Sequence, residues 1–303
     1  MSFLVELIGR LPGSWIQRVG RWRGRWPWFK TMTDWLPSLL HGKQGVIQRG
    51  AGRGLRFQGG KSSVGFLLGT HDAIVQHALT VLLRPGMTVF DVGANVGFTA
   101  VLAARLVSET GRVISFEPLP SNARQIEHNA ALNGFAHIAV RQEALSSHDG
   151  EAKFAISSSP TWGKLAALGP ALQEVGTIRV RVRRLDSVLA EDLPAPDLLK
   201  IDVEGAEADL LAGAARILTD IRPVILMELH GTNREIFEAL RLRDYSIRVL
   251  GSKTSILDAR WDAQIVAFPA ERADLAATAE RLTAPLPPAW AGSCRHSEVA
   301  QGE

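Results

Sequence analysis

Apolar and polar positions follow two different spacings along this chain, and the spacing changes wherever the secondary structure is expected to change. From about residue 70, short apolar runs alternate with stretches whose apolar residues recur every three or four positions. "AIVQHALTVLL" (73–83) has helical spacing and is stopped by Arg84-Pro85-Gly86. "MTVFDVG" reads as a strand, "FTAVLAARLV" as a helix, "RVISFEP" as a strand, "SNARQIEHNAALNG" as a helix closed by Gly134, and "HIAVRQEAL" as a strand. After an irregular stretch come strands "TIRVRVRRL" and "DLLKIDV", helix "AEADLLAGAARIL", strand "RPVILMEL", helix "NREIFEALRLR", and closing strands "YSIRVL" and "AQIVAF". Alternation of this kind predicts an α/β fold: a mostly parallel sheet with helices on both faces.

The first sixty residues break this rhythm. Leu4, Ile8, Leu11, Trp15, Val19, Trp22 and Trp26 recur at helical steps, and Pro12 divides the segment into two short amphipathic helices. Five of the eight tryptophans lie here: Trp15, Trp22, Trp26, Trp28 and Trp35. So do ten Lys/Arg, against Glu6 and Asp34, whereas the whole chain carries only +3; the remainder is mildly acidic. One aromatic and one arginine-rich face suit helices lying on an anionic membrane surface; docking on the domain's own core or on a second subunit stays open. "MSFLVELIGRLPGSW" lacks a basic n-region and carries Glu6 within its apolar stretch, so it does not read as a signal peptide. No apolar run reaches the ~20 residues that span a bilayer. Residues 284–303, with Pro285, Pro287 and Pro288 ahead of polar residues, read as a disordered tail. The expected organisation is a basic, tryptophan-rich leader over 1–60, one ligand-binding domain over 61–283, and the tail. The single cysteine, Cys294, excludes a disulfide framework or a cysteine zinc site, and it suits a cytoplasmic protein.

In sheets of this kind ligands sit beyond the carboxyl ends of the strands. The first tip offers Asp91, Gly93, Asn95 and Gly97. Its glycines let backbone approach a ligand, the following helix aims free N–H groups into the same space, and Asp91 can accept from an ammonium or from water. A tight turn with no ligand is the plainer alternative. The second tip carries Glu117, 24 residues after Gly93, where an acid would grip two ribose hydroxyls. The third carries Glu143, an acceptor for an adenine amino group or else an ordinary solvated acid. At the fourth, "LLKIDVEGAE" places Lys200, Asp202 and Glu204 on one face of the strand, and at the fifth Glu228 and His230 share a face. Charges on buried strands must pair or meet a ligand, and a structural Lys200–Asp202 or Lys200–Glu228 pair competes with the ligand reading.

A dinucleotide turn needs G-x-G-x-x-G, but here Asn95 stands at the second glycine and the pattern is D-x-G-x-x-x-G. A looser turn preceded by an acid suits a cofactor with no phosphates and a free amino group, such as S-adenosylmethionine. No G-x-x-x-x-G-K-[ST] loop is present, which argues against phosphoryl transfer. Taken together, "VFDVGANVGFTAVLAA", "VISFEPLPSNARQIEHNAALNG", "EALSSHDGEAKF", "LDSVL" (185–189) and "DLLKIDVEGAEADLLAGAARIL" followed by "PVILMELH" resemble the FkbM-type methyltransferases over about residues 70–250. The resemblance implies a class I, Rossmann-like, seven-stranded and mostly parallel fold. It also implies S-adenosylmethionine-dependent methyl transfer to a hydroxyl of a sugar, glycolipid or secondary-metabolite acceptor. Carried over by motif, it implies Asp91, Gly93, Asn95 and Gly97 at the methionine end, Glu117 at the ribose, Glu143 at the adenine, and Asp202 and Glu204 beside the reacting centre. It does not reach the leader or the tail.

An alcohol attacks poorly until its proton begins to leave, so a base is expected near the acceptor. His230 is best suited because its unperturbed pKa lies near working pH; Asp202 and Glu204 compete, with Lys200 beside them. Asp202, Glu228 and His230 could also hold a divalent cation, but their spacing is not diagnostic and no metal is assigned. The segment "SSSPTWGKLAALGPALQEVG" (157–176) is long for a connector and is expected to set acceptor choice, with Trp162 stacking on the acceptor or anchoring the loop. Two rivals remain: an NAD-dependent oxidoreductase, which Asn95 disfavours, and a catalytically inactive membrane-associated scaffold, which the intact set of tip residues disfavours. Nucleic acid is not an expected partner. No binding motif accompanies the basic leader, and "IDVEG" stands where amino methylation of bases uses an Asn/Asp-Pro-Pro-aromatic tip.

Overall fold

The computed structural model describes residues 42–59, 65–157, 163–169, 174–191, 193–287 and 290. The tryptophan-bearing part of the leader, Trp162 and most of the tail lie outside the described residues. The chain divides into two compact units, Met1–His77 with Leu286–Glu303, and Ala78–Pro285.

In the first unit, β1 (Gln44–Val46) and β2 (Arg56–Gln58) pair as an antiparallel hairpin. The helical spacing expected over residues 4–26 lies outside the described residues, and this hairpin follows it in the chain. The buried Phe57 between Arg56 and Gln58 gives the two-residue period of a half-buried strand. Its ring lies 5.5 Å from Phe66 on the short helix α1 (Gly65–Leu68). The buried Gln76 side chain accepts from Ala51 N and donates to His71 O. Trp290 also packs in this unit, its ring 5.5 Å from that of His77.

Helix α2 (Ala73–Leu82) carries the chain into the second unit. There follow β3 (Thr88–Val92), α3 (Phe98–Val107), β4 (Arg112–Phe116), α4 (Pro120–Leu132) and β5 (Ile138–Arg141). Next come strands β6 (Ala144–Leu145), β7 (Gly150–Ser157), β8 (Lys164–Leu165) and β9 (Glu174–Arg183), then helix α5 (Leu185–Leu189). The chain returns through β10 (Leu198–Ile201), α6 (Glu207–Ala212), β11 (Val224–Glu228), α7 (Asn233–Arg241), β12 (Tyr245–Val249), β13 (Gln264–Pro269) and α8 (Ala273–Leu282). The large sheet has seven strands in the order β12-β13-β11-β10-β3-β4-β5, and β13 pairs antiparallel with both neighbours while the other pairings are parallel. This is the mostly parallel seven-stranded α/β sheet that the resemblance implied. All five residues of β3 and all four of β10 are buried, as central strands covered on both faces require.

Three sequence expectations need correction. "HIAVRQEAL" is two strands, because the chain turns where Glu143 N donates to Arg141 O, and β6 joins a different sheet. "TIRVRVRRL" also belongs to that second, four-stranded sheet, where β9 pairs antiparallel with β7. The helix over "AEADLLAGAARIL" breaks at Gly213, where a Cβ would lie 2.0 Å from Ser146 O, and resumes as a π-helical turn, Ile217–Ile221. Among the described residues no helix is long and apolar enough to cross a membrane.

Candidate active site

The tips of β3, β4 and β10 open on a cleft of about 660 Å³, its open mouth included, whose far wall is Phe154, Gly163 and Leu165 from the second sheet. The turn after β3 is shaped by backbone contacts. Gly93 takes φ 73°, and a Cβ there would fall 1.8 Å from Asp202 O, so only glycine lets the ends of β3 and β10 come together. Asn95 adopts φ 51°, which asparagine tolerates better than most side-chain-bearing residues. Gly97 caps α3 against Ile126. Gly93 N and Ala94 N donate to Phe116 O, Asn95 N to Glu117, and Gly97 N to Ala94 O. Four of the turn's N–H groups are therefore committed within the protein.

Glu117 is buried at the end of β4. Its Oε2 accepts from Asn95 N and its Oε1 from Leu119 N, each at 2.9 Å. Burial pushes its pKa up to about 7, against the pull of those two amides. A carboxyl group held by these two amides, with the Asn122 side chain also bonded to it, lines the cleft. Glu143 lines the same cleft, 2.8 Å from Arg141 Nε through Oε1, with Arg181 at 3.8 Å and Arg183 at 4.0 Å from Oε2.

Asp91 sits one layer beneath. It is fully buried, off the cleft wall, and neither carboxylate oxygen has a good hydrogen bond. The pairing register sets Lys200 opposite it, with Nζ at 3.5 Å from Asp91 Oδ1, 3.3 Å from Asp202 Oδ2 and 3.4 Å from Gly93 O. Burial raises the Asp91 pKa and Lys200 opposes the rise. Lys200 thus ties the turn after β3 to the tip of β10.

The other end of the cleft is a carboxylate and histidine cluster. Asp202 and Glu204 leave the tip of β10, Glu204 with φ 50° ahead of Gly205 at φ 97°. His230 leaves the end of β11, its Nε2 at 3.5 Å from Glu204 Oε2, 3.9 Å from Asp202 Oδ1 and 3.9 Å from Glu228 Oε1. Its Nδ1 meets Glu207 Oε1 at 2.7 Å. Glu207, in the first turn of α6, is completely buried and also accepts from Gly205 N and Thr232 Oγ1. Burial works against a charged ring, but the Glu207 hydrogen bond and the charges of Asp202, Glu204 and Glu207 outweigh it and push the His230 pKa up to about 9. Burial also pushes Glu204 up to about 7. The sequence argument for His230 assumed a ring titrating near its ordinary value; that premise fails, because the fold packs acids around the ring. Ligand-type atoms of Asp202, Glu204 and His230 lie within 4.8 Å of one another, close enough to share a cation. The raised His230 pKa also lets the ring carry a positive charge among those acids.

The fold therefore brings Gly93, Asn95, Glu117, Glu143, Asp202 and Glu204 to one cleft, with His230 against Glu204, and it leaves Asp91, Gly97 and Lys200 behind as support. The sequence reading missed Glu207, an acid in a helix's first turn, where acids are common because they favour the helix dipole. Only the placement of α6 beside His230 gives it a role.

A family model for the methyltransferase FkbM domain matches residues 91–251. The AMB antimetabolite synthetase AmbE of Pseudomonas aeruginosa is 32% identical over 188 residues, 50% of this chain and 9% of AmbE. The 2-O-methyltransferase NoeI of Sinorhizobium fredii is 27% identical over 158 residues, 48% of this chain and 64% of NoeI. The hexuronic acid methyltransferase AglP of Haloferax volcanii is 29% identical over 143 residues, 46% of this chain and 55% of AglP. The chain thus spans less than two thirds of the length of each of these relatives. The matched region runs from Asp91 near the end of β3 through the acid and histidine cluster to just past β12, and on that ground the chain belongs to the FkbM methyltransferase family.

Proposed function

We propose that this protein transfers a methyl group from S-adenosylmethionine to a hydroxyl oxygen of a sugar or other hydroxylated small molecule. The observation that carries the reading is a single cleft lined by the buried acid Glu117 and by Asp202 and Glu204, with His230 Nε2 3.5 Å from Glu204. The residues fit that donor: a buried acid for its ribose, acids for its cationic end, and a turn whose Gly93, Ala94, Asn95 and Gly97 N–H groups are bonded within the protein. When bound, the donor supplies a methyl group already activated by sulfonium charge. Asp202 and Glu204 hold that end of the cleft negative, and Glu117 and Glu143 orient the nucleoside. His230 accepts the proton of the attacking hydroxyl at Nε2, while Glu207 keeps the other ring nitrogen protonated and the ring in place. With a pKa of about 9, roughly one ring in a hundred is neutral at pH 7 in the ligand-free protein. A further positive charge shared by Asp202 and Glu204 loosens the His230 proton and raises that fraction. We assign the acceptor to the class of sugars and glycolipids, supported by the names 2-O-methyltransferase and hexuronic acid methyltransferase carried by two relatives. The basic, aromatic segment 1–40 is assigned to membrane-surface contact on its composition.

The test is calorimetric. S-adenosylhomocysteine is expected to bind the purified protein and NAD to give no heat, with Glu117→Gln weakening the first by about 10- to 100-fold through lost charged hydrogen bonds. Binding of NAD without S-adenosylhomocysteine would return the fold to the oxidoreductase reading, and binding of neither would favour an inactive scaffold.

A further inference from the structure

Trp261 stands out at the rim of this cluster. It lies between β12 and β13 and is 60% exposed, although an indole is among the largest apolar groups a protein can bury. Its ring is nevertheless held close to the site, with its centroid 6.4 Å from that of His230 and the two planes at 57°.

The loop that presents it is pinned on both sides. Gly231 N, directly after His230, donates to Trp261 O at 2.9 Å, and Leu229 N, directly before it, donates to Ala263 O at 2.9 Å. Arg260 and Asp262, the two neighbours of Trp261, grip each other through two hydrogen bonds of 2.9 Å. Asn233 at the start of α7 donates to Ile256 O and Ala259 O, which fixes the approach to the loop. The backbone of Trp261 is thus tied to the residues flanking the proposed base, while its side chain contributes little to the core. A rigidly presented indole is a large flat apolar surface that loses little conformational freedom on binding.

Resting on the methyltransferase reading above, we propose that Trp261 is the stacking platform of the acceptor subsite and that the acceptor is a hydroxylated ring of the pyranose type. A hydroxyl delivered to His230 Nε2 belongs to a molecule whose remainder must lie beside that ring, and the exposed apolar surface there is Trp261. Asp202, Glu204 and Glu228 lie 3.9, 3.5 and 3.9 Å from the same Nε2, and their carboxylates accept hydrogen bonds from hydroxyl groups. A pyranose matches both surfaces, since it carries hydroxyls around its edge and a patch of C–H bonds on its face. A straight-chain alcohol has no face to stack.

The test uses the full-length protein saturated with S-adenosylhomocysteine and a panel of methyl pyranosides, with sorbitol as the open-chain control. Saturation-transfer NMR is expected to label the C–H protons of at least one pyranoside and not those of sorbitol. Trp261→Ala is expected to weaken that pyranoside about tenfold and Trp261→Phe by less, as loss of one ring stack predicts. Affinity for S-adenosylhomocysteine is expected to be the same in all three proteins, which also shows that the variants fold. Equal pyranoside binding in Trp261→Ala would overturn the proposal, as would binding of sorbitol in preference to every pyranoside or of no pyranoside at all. Failure of the unaltered protein to bind S-adenosylhomocysteine would instead overturn the methyltransferase reading, and this proposal with it.

Discussion

Replacing Glu207 by glutamine keeps an acceptor for His230 Nδ1 and removes the buried charge behind it. The rise of the His230 pKa from 6.5 to about 9 corresponds to about 3 kcal/mol in favour of the charged ring, and this is what remains after burial has worked the other way. Glu207 contributes the 2.7 Å contact, whereas Asp202 and Glu204 act from 3.9 and 3.5 Å without a hydrogen bond to the ring. Removing its charge is therefore expected to lower the midpoint by about one to two pH units and to leave the rest to the other acids. Long-range proton–nitrogen NMR on protein labelled at its histidines reads this directly, with His230 assigned by its missing signal in His230→Gln. A stability effect follows with a definite sign. The folded pKa lies above the unfolded one, so this stabilisation is fully present below pH 6.5 and is lost as pH rises through about 9. Thermal melts of the ligand-free protein should fall across that window, and Glu207→Gln should flatten the fall. A wild-type midpoint near 6.5, or a Glu207→Gln midpoint within about half a unit of wild type, would refute the account of the cluster.

Three other outcomes follow from the structure. Lys200→Met strands the buried Asp91 carboxylate and is expected to cost about 3–5 kcal/mol in chemical denaturation, with the double variant Asp91→Leu, Lys200→Met recovering most of it; a single variant of wild-type stability would show that the ion pair does not hold β3 to β10. Gly93→Ala forces a Cβ to 1.8 Å from Asp202 O at φ 73°, so a loss of at least about 3 kcal/mol or failure to fold is expected, and an unchanged melting temperature would disprove the close approach. Glu117 and Glu204 both have folded pKa values raised from 4.5 to about 7, so their contribution is present below pH 4.5 and is lost as pH rises through 7; urea denaturation should show a loss across that range that shrinks in Glu117→Gln, and an unaltered slope would argue against burial as the cause.

Much of this molecule can be read along the chain because its central strands are buried on both faces, which leaves short, mostly apolar runs around Phe90 and Leu199, each interrupted by one charged residue, Asp91 or Lys200. Side-chain alternation then placed Asp202 and Glu204 at a tip, and the spacing from Gly93 placed Glu117. Register was not legible. Which residue of β10 stands opposite Asp91 depends on pairing between segments more than a hundred positions apart, and that pairing turns Asp91 from a cleft residue into the buried partner of Lys200. The strand "GEAKFAIS" escaped notice because its first half is largely exposed, and its inward residues, Ala152, Phe154 and Ile156, meet a small core that exists only once β9 folds over it. Glu207 and Trp261 were silent for a related reason: each gains meaning only from His230, a residue distant in sequence.

The second sheet has an engineering consequence. The chain leaves the seven-stranded frame after Arg141 and rejoins it at Leu198, and within that excursion β7 and β8 raise one side of the cleft on a hydrophobic cluster shared with β9, Leu119 and Ala206. A hairpin of another length or composition grafted between Gly150 and Leu165 would reshape the chamber while β3, β4 and β10 kept their hydrogen bonds to one another. Retargeting this scaffold to a bulkier molecule therefore calls for exchanging a peripheral module, with the strands that carry Glu117 and Asp202 left as they are.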